Sequence, residues 1–244
     1  MPTLPHQLRA LALLLDYPGD ALQAHLGELR AVLGALEPPR PGAHDSLHRL
    51  IDHMATSDLL DLQAEYVDTF DRGRRTSLNL FEQVHGDSRD RGQAMVDLLA
   101  QYQEVGLELH ARQLPDYLPV YLEYCSVLDP GAAREALEEV ALLVAHLTAA
   151  LDRRESPWAA ATAAVCRLAG MHDWRADLSQ QAAADSATQH AATAPADWTA
   201  AALDAAWAEE PVNFLGACNP QTAPAAVQPV QFVRRTAPSS SAGV

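Results

Sequence analysis

Apolar residues recur along this chain at spacings of three and four, the period of a helix with one buried face. Leu4, Leu8, Leu11, Leu14 and Leu15 form the first such stripe, and Asp16-Tyr17-Pro18-Gly19 supplies a turn. Asp20 is then placed to cap a second helix running to about Leu36. After the break at Glu37 to Gly42, Leu47, Leu50, Ile51 and Met54 mark a third helix, and Ser57 or Asp58 caps a fourth carrying Leu59, Leu62, Tyr66 and Phe70. That helix is expected to end at Asp71-Arg72-Gly73, with Gly73 as the left-handed terminal residue. Ser77 to Val84 reads as a short helix, and Arg91 to Val105 as an amphipathic one with Ala94, Met95, Leu98, Leu99, Tyr102 and Val105 inward.

Asp116 is positioned to cap a further helix that buries Leu118, Tyr121, Leu122, Cys125 and Leu128, with Asp129-Pro130-Gly131 as its stop. Leu137, Val140, Ala141, Val144, Leu147 and Leu151 repeat through a long helix ending near Arg153, and Ser156-Pro157 opens another reaching Leu168. The pattern predicts an all-α fold, a single globular bundle of about nine helices over residues 1–175. Residues 176–202, rich in Ala, Ser and Thr, read as a linker with transient helix; 203–218, with Leu203, Trp207, Phe214 and Leu215, as a short apolar docking segment; and 219–244 as a flexible, disordered tail.

Composition supports helices, since Ala and Leu dominate a hydrophobic fraction of 48% and aromatic residues contribute only 6%. A formal net charge of −15 opposes a general nucleic-acid binder, which draws its affinity from cations that neutralise phosphates. All 17 basic side chains are Arg, a planar head suited to bidentate pairing with carboxylates or phosphates. Three widely spaced cysteines, with no CxxC pair, indicate neither a disulfide framework nor a zinc ribbon. Ala10 to Leu15 is too short and too soon interrupted for a signal peptide, and no run reaches the length of a membrane span. A cytoplasmic protein without direct membrane insertion is the expectation.

The densest chemistry lies between Asp71 and Met95. Glu82-Gln83-Val84-His85 has the Glu-x-x-His spacing of helical di-iron sites, but those need a second such pair and the chain has none. His85, Asp87 and Asp90 can be imagined as a base with orienting carboxylates, yet no nucleophile turn or phosphate-binding loop accompanies them. A metal-binding or hydrolytic protein built on Glu82, His85 and Asp87 therefore stands only as the alternative; no catalytic, cofactor or metal residue is assigned. Arg72, Arg74, Arg75, Arg89 and Arg91 sit among Asp71, Asp87 and Asp90, either as a solvated ionic turn or as an anchor for a partner's carboxylates or, less readily, a phosphate-bearing cofactor. Between Glu104 and Glu139 eight carboxylates face only Arg112 and Arg134, a stretch able to steer a basic peptide.

From Tyr66 to Leu99, and above all from Phe81 to Met95, the chain resembles the NarJ family of nitrate reductase assembly chaperones within the wider TorD-like group of redox-enzyme maturation factors. Leu14-Leu15-Asp16-Tyr17-Pro18, Leu114 to Pro119 with Tyr121 to Tyr124, and Ala202 to Trp207 are similar to that family too. The resemblance implies a cytoplasmic all-α chaperone without turnover or bound cofactor. It would bind the apo catalytic subunit of a respiratory nitrate reductase, including its N-terminal peptide, and keep it competent for molybdenum cofactor insertion before membrane docking. Proteins of molybdenum cofactor synthesis are further expected partners. On this reading Arg72, Glu82, His85, Asp87, Arg89, Asp90, Arg91 and Tyr121 are the candidate partner-binding residues, with tyrosines and leucines lining a groove and the polar run shaping the loop beside it.

Overall fold

A computed structural model of the chain describes residues 2–38, 46–85, 89–109 and 113–192, with backbone only for 83–85, 89–90 and 185–192. The expected docking segment at 203–218 and tail at 219–244 lie outside these residues, as does Asp87. The described residues contain ten α-helices: α1 (Leu4–Leu15), α2 (Asp20–Leu33), α3 (Leu47–Thr56), α4 (Leu59–Phe70), α5 (Leu80–His85), α6 (Arg89–Glu104), α7 (Leu118–Val127), α8 (Pro130–Arg153), α9 (Ala159–Leu168) and α10 (Trp174–Ala192). They include no strand, only an isolated antiparallel bridge between Asn79 and Tyr117.

The all-α expectation holds, and one core joins the helices. α7 is its axis, packed between α1 and α8 and buried at eight of its ten positions. Such burial on nearly all sides is what an almost wholly apolar helix requires. α9 is buried from Ala159 to Cys166, because its run of alanines lets α8, α3 and α1 approach closely. Trp158, fully buried before α9, donates its indole N–H to the Leu14 carbonyl at 3.2 Å. The rings of Tyr66 and Phe70 meet its indole edge to face, at 5.9 and 5.7 Å.

Several local expectations change. Gly19, not Asp20, is the N-cap of α2, and Asp20 is its first residue. Asp58 does cap α4, accepting from the Leu60 N–H at 2.9 Å. Gly73 is not left-handed: the positive-φ glycines among the described residues are Gly106 and Gly170, and the turn after α4 closes instead by a Thr76 N–H to Gly73 carbonyl bond of 3.1 Å. Val105 lies beyond the end of α6 and is exposed. α7 ends at Val127, just before the expected Asp129 stop, and Asp129 caps α8, accepting from the Gly131 and Ala132 N–H groups at 3.0 and 3.2 Å. α10 is continuous to Ala192, where 176–202 reads as linker, since alanine-rich sequence has high helix propensity even with little apolar surface to bury.

Candidate functional site

The segment after α4 is held by two kinds of bond. On its outer side Arg72 pairs with Asp68 at 2.9 Å, and Arg154 at the end of α8 reaches the same carboxylate at 3.2 Å. On its inner side Ser77 donates to the Glu82 carboxylate at 2.6 Å. Around the Asn79–Tyr117 bridge, Leu80 N–H donates to the Asp116 carbonyl and Leu118 N–H to the Leu78 carbonyl, both at 2.9 Å. The Phe81-to-Met95 run and the Leu114-to-Pro119 run, separate in sequence, are thus one clasp in space.

Asp116 is the centre of that clasp. The helix cap expected of it is not made: Tyr117 occupies the N-cap position of α7, and the Asp116 side chain, 0% exposed, turns inward. Its Oδ2 accepts from the Phe81 N–H at 3.2 Å and from the Arg91 guanidinium at 3.5 Å. Burial raises its pKa above the usual carboxylate range, opposed by the positive charge of Arg91 and by the Phe81 N–H. Among the described residues neither Asp116 Oδ1 nor Arg91 Nε has a hydrogen-bond partner, so within them the pair is incompletely satisfied.

A second network joins α1, α4 and α7. Tyr66 donates to the Leu15 carbonyl at 2.8 Å, its oxygen lies 2.9 Å from the Tyr117 hydroxyl, and Tyr117 donates to Asp16 at 3.0 Å. Desolvation raises the pKa of both phenols, so they stay neutral donors at any working pH. The Leu14-to-Pro18 motif is thereby tied to Tyr66 and to the Asp116-Tyr117 pair.

The candidate residues fall into separate places. Arg72 and Glu82 line one polar cavity of about 450 Å³ with Asp71, Asn79 and the Ser77 turn. Arg91 lies apart, paired with Asp116. Tyr121 is in the core, 4% exposed, donating to the Ala136 carbonyl of α8 at 2.6 Å. His85 ends α5, and Arg89 and Asp90 open α6; their side chains, like Asp87, lie outside the description. Among the described residues no three His, Cys, Asp or Glu side chains gather as a metal-ligand set. No described helix is long and apolar enough to cross a membrane.

An open apolar face was not singled out from sequence. Leu13 of α1 and Val127 of α7 are 49% and 42% exposed, although both helices lie deep in the bundle. With Leu107 they border a cavity of about 260 Å³, and Leu107 and Glu123 also border an adjoining one of about 210 Å³. Charge flanks this groove: Arg9 donates to Ser126 at 3.0 Å, Glu108 lines the second cavity, and burial followed by the charge of Asp16 raises the Glu123 pKa against the pull of Arg9. Leu13 is the one leucine of α1 off the inward stripe, a signal that helical periodicity contains but cannot separate from chance surface leucine.

The helical architecture has a counterpart among solved structures. A crystal structure described as a redox enzyme maturation protein from Archaeoglobus fulgidus superposes with a TM-score of 0.50 over 68% of this chain and 92% of its own, at 18% identity. Residues 19–164 match the family described as nitrate reductase delta subunit, and the chain belongs to that family. Among its relatives are two nitrate reductase molybdenum cofactor assembly chaperones of Escherichia coli K12. NarW is 45% identical over 85% of this chain and 83% of its own length, and NarJ 44% identical over 86% and 85%. The Bacillus subtilis NarJ is 29% identical over 62% of this chain and 80% of its own. These relatives are named as assembly chaperones, not catalysts, which supports the reading of a protein without turnover.

Proposed function

We propose that this chain is a cytoplasmic assembly chaperone for a respiratory nitrate reductase. It binds the apo catalytic subunit, including its N-terminal segment, and keeps it competent for molybdenum cofactor insertion before the enzyme docks at the membrane; proteins of cofactor synthesis join the complex transiently. The observation that carries the binding step is the open groove between α1 and α7, bordered by Leu13, Leu107 and Val127 and flanked by Glu108 and Glu123. A peptide that folds as an amphipathic helix on binding offsets its ordering entropy with apolar contacts in a preformed groove, and basic residues on its polar face complement the carboxylates. Moderate, releasable affinity follows.

The polar run takes a supporting role in this proposal. Arg72, Glu82 and Arg91 hold the loop that carries α5 and α6, Tyr121 holds α7, and His85, Asp87, Arg89 and Asp90 are assigned to the partner's polar groups. Calorimetry with a synthetic peptide of the catalytic subunit's N-terminal segment tests the groove. Leu13→Asp and Val127→Asp, both at exposed positions and expected to stay folded, should each weaken binding about tenfold or more. Wild-type affinity in both variants would remove the groove from the proposal. Absence of nitrate reductase subunits from proteins captured on the chain in nitrate-grown cells would remove the proposal itself.

A further inference from the structure

A cavity of about 390 Å³ lies between the turn after α4 and the C-terminal half of α8, and it is lined by Arg74, Arg75, His146, Ala150 and Arg153. His146, Ala150 and Arg153 follow one another at four and three residues, so they share a face of α8, with the methyl of Ala150 between the two longer side chains. Arg75, His146 and Arg153 have no carboxylate partner among the described residues. Two of the nearby acids are engaged elsewhere: Asp68 with Arg72 and Arg154, Asp152 with Arg175.

A chain of net charge −15 therefore keeps the guanidinium groups of Arg75 and Arg153 without a carboxylate partner among the described residues around one concavity, with His146 and Arg74 also lining it. Like charges so placed repel, and a concave wall concentrates their field, so an anion seated there relieves a standing cost. We propose that this cavity binds a phosphate-bearing small molecule. A lone carboxylate offers one charge and two oxygens, too few for the set. A phosphate or pyrophosphate group offers about two or more charges and at least three acceptor oxygens, which matches several guanidinium forks. The cavity volume is within the range of small-ligand sites, about 300–1,000 Å³. The site is distinct from the α1–α7 groove and does not depend on a peptide being bound there.

Titration calorimetry on the full chain, with inorganic pyrophosphate and separately with adenosine diphosphate, tests the assignment. Saturable binding is expected with at least one probe, weakening as salt rises. Tighter binding of the nucleotide marks an organic phosphate as the ligand, and equal binding marks the phosphate group alone. Arg75→Gln and Arg153→Gln alter exposed side chains, keep the thermal melt of the parent, and should each lower affinity about tenfold or more. Arg134→Gln, near the opposite end of α8, should leave it unchanged. No saturable heat with either probe, or an equal loss in Arg134→Gln, would overturn the proposal. Tighter binding of a tetraglutamate peptide than of pyrophosphate would overturn it too, reassigning the cavity to an acidic protein partner.

Discussion

Removing the Arg91 guanidinium is the sharpest test of how the loop after α4 is held. Asp116 is fully buried, and Arg91 is the only cation paired with it among the described side chains. Taking away one member of a buried ion pair costs about 3–5 kcal/mol, because the other charge is left in low dielectric. Arg91 is itself 18% exposed, so water can follow it inward, and the lower end, about 3 kcal/mol, applies to Arg91→Ala. For a chain of this size that corresponds to a fall in Tm of roughly 6–12 °C. Asp116→Asn should cost about 1 kcal/mol, since the amide oxygen still accepts from Phe81. The double variant should then be more stable than Arg91→Ala alone.

The pH dependence has a definite sign. Burial raises the folded-state pKa of Asp116 and Arg91 lowers it, with burial the larger effect. A carboxyl whose folded pKa lies above its unfolded value contributes stability that is complete below the unfolded pKa, about 4, and is lost as pH rises through the folded pKa. Without Arg91 the folded pKa rises further. Urea denaturation should therefore show the Arg91→Ala penalty at full size near neutral pH, shrinking toward pH 4. A penalty below about 0.5 kcal/mol at neutral pH, the scale of an ordinary surface substitution, or one independent of pH, would refute the clasp as described.

Other substitutions probe the remaining supports. Tyr117→Phe removes the hydroxyl shared by Tyr66 and Asp16, and chemical denaturation should show a loss of about 1–2 kcal/mol. Asp129→Ala removes the α8 cap and should cost about 1 kcal/mol by the same measurement, with no change in peptide binding. Burial pushes the Cys125 and Cys166 thiols up to about 12, so in a Cys218→Ser background a thiol reagent at pH 8 should label neither until the protein is unfolded.

The helices whose apolar positions repeat cleanly, such as α1, α3, α4 and α8, were legible because periodicity and burial report the same fact. Caps were less so. Asp58 and Asp116 are both acids placed just before an apolar helix, and local pattern treats them alike; Asp58 caps, while Asp116 is drawn inward by Phe81 and by an arginine distant in sequence. The ends of helices failed for a similar reason. Gly73 and Gly106 are each glycines at the end of an amphipathic run, and only the hydrogen bonds made beyond them decide which takes the left-handed conformation.

The same logic bears on where a partner can bind. Arg91, Tyr121 and Tyr117 are conspicuous in sequence, set in runs of unusual composition, and each uses its polar group on the protein's own backbone or side chains. A group already hydrogen-bonded inside the fold has to give up that bond before it can serve a partner, at a cost near what the new contact returns. Leu13 and Val127 are inconspicuous by composition, yet their exposure in a bundle built on α1 and α7 leaves apolar surface that a partner could cover. A motif identifies the chain because it holds the scaffold in one arrangement. If the proposed groove holds the partner, substitutions at Leu13 and Val127 should separate binding from stability where those at Arg91 and Tyr117 cannot.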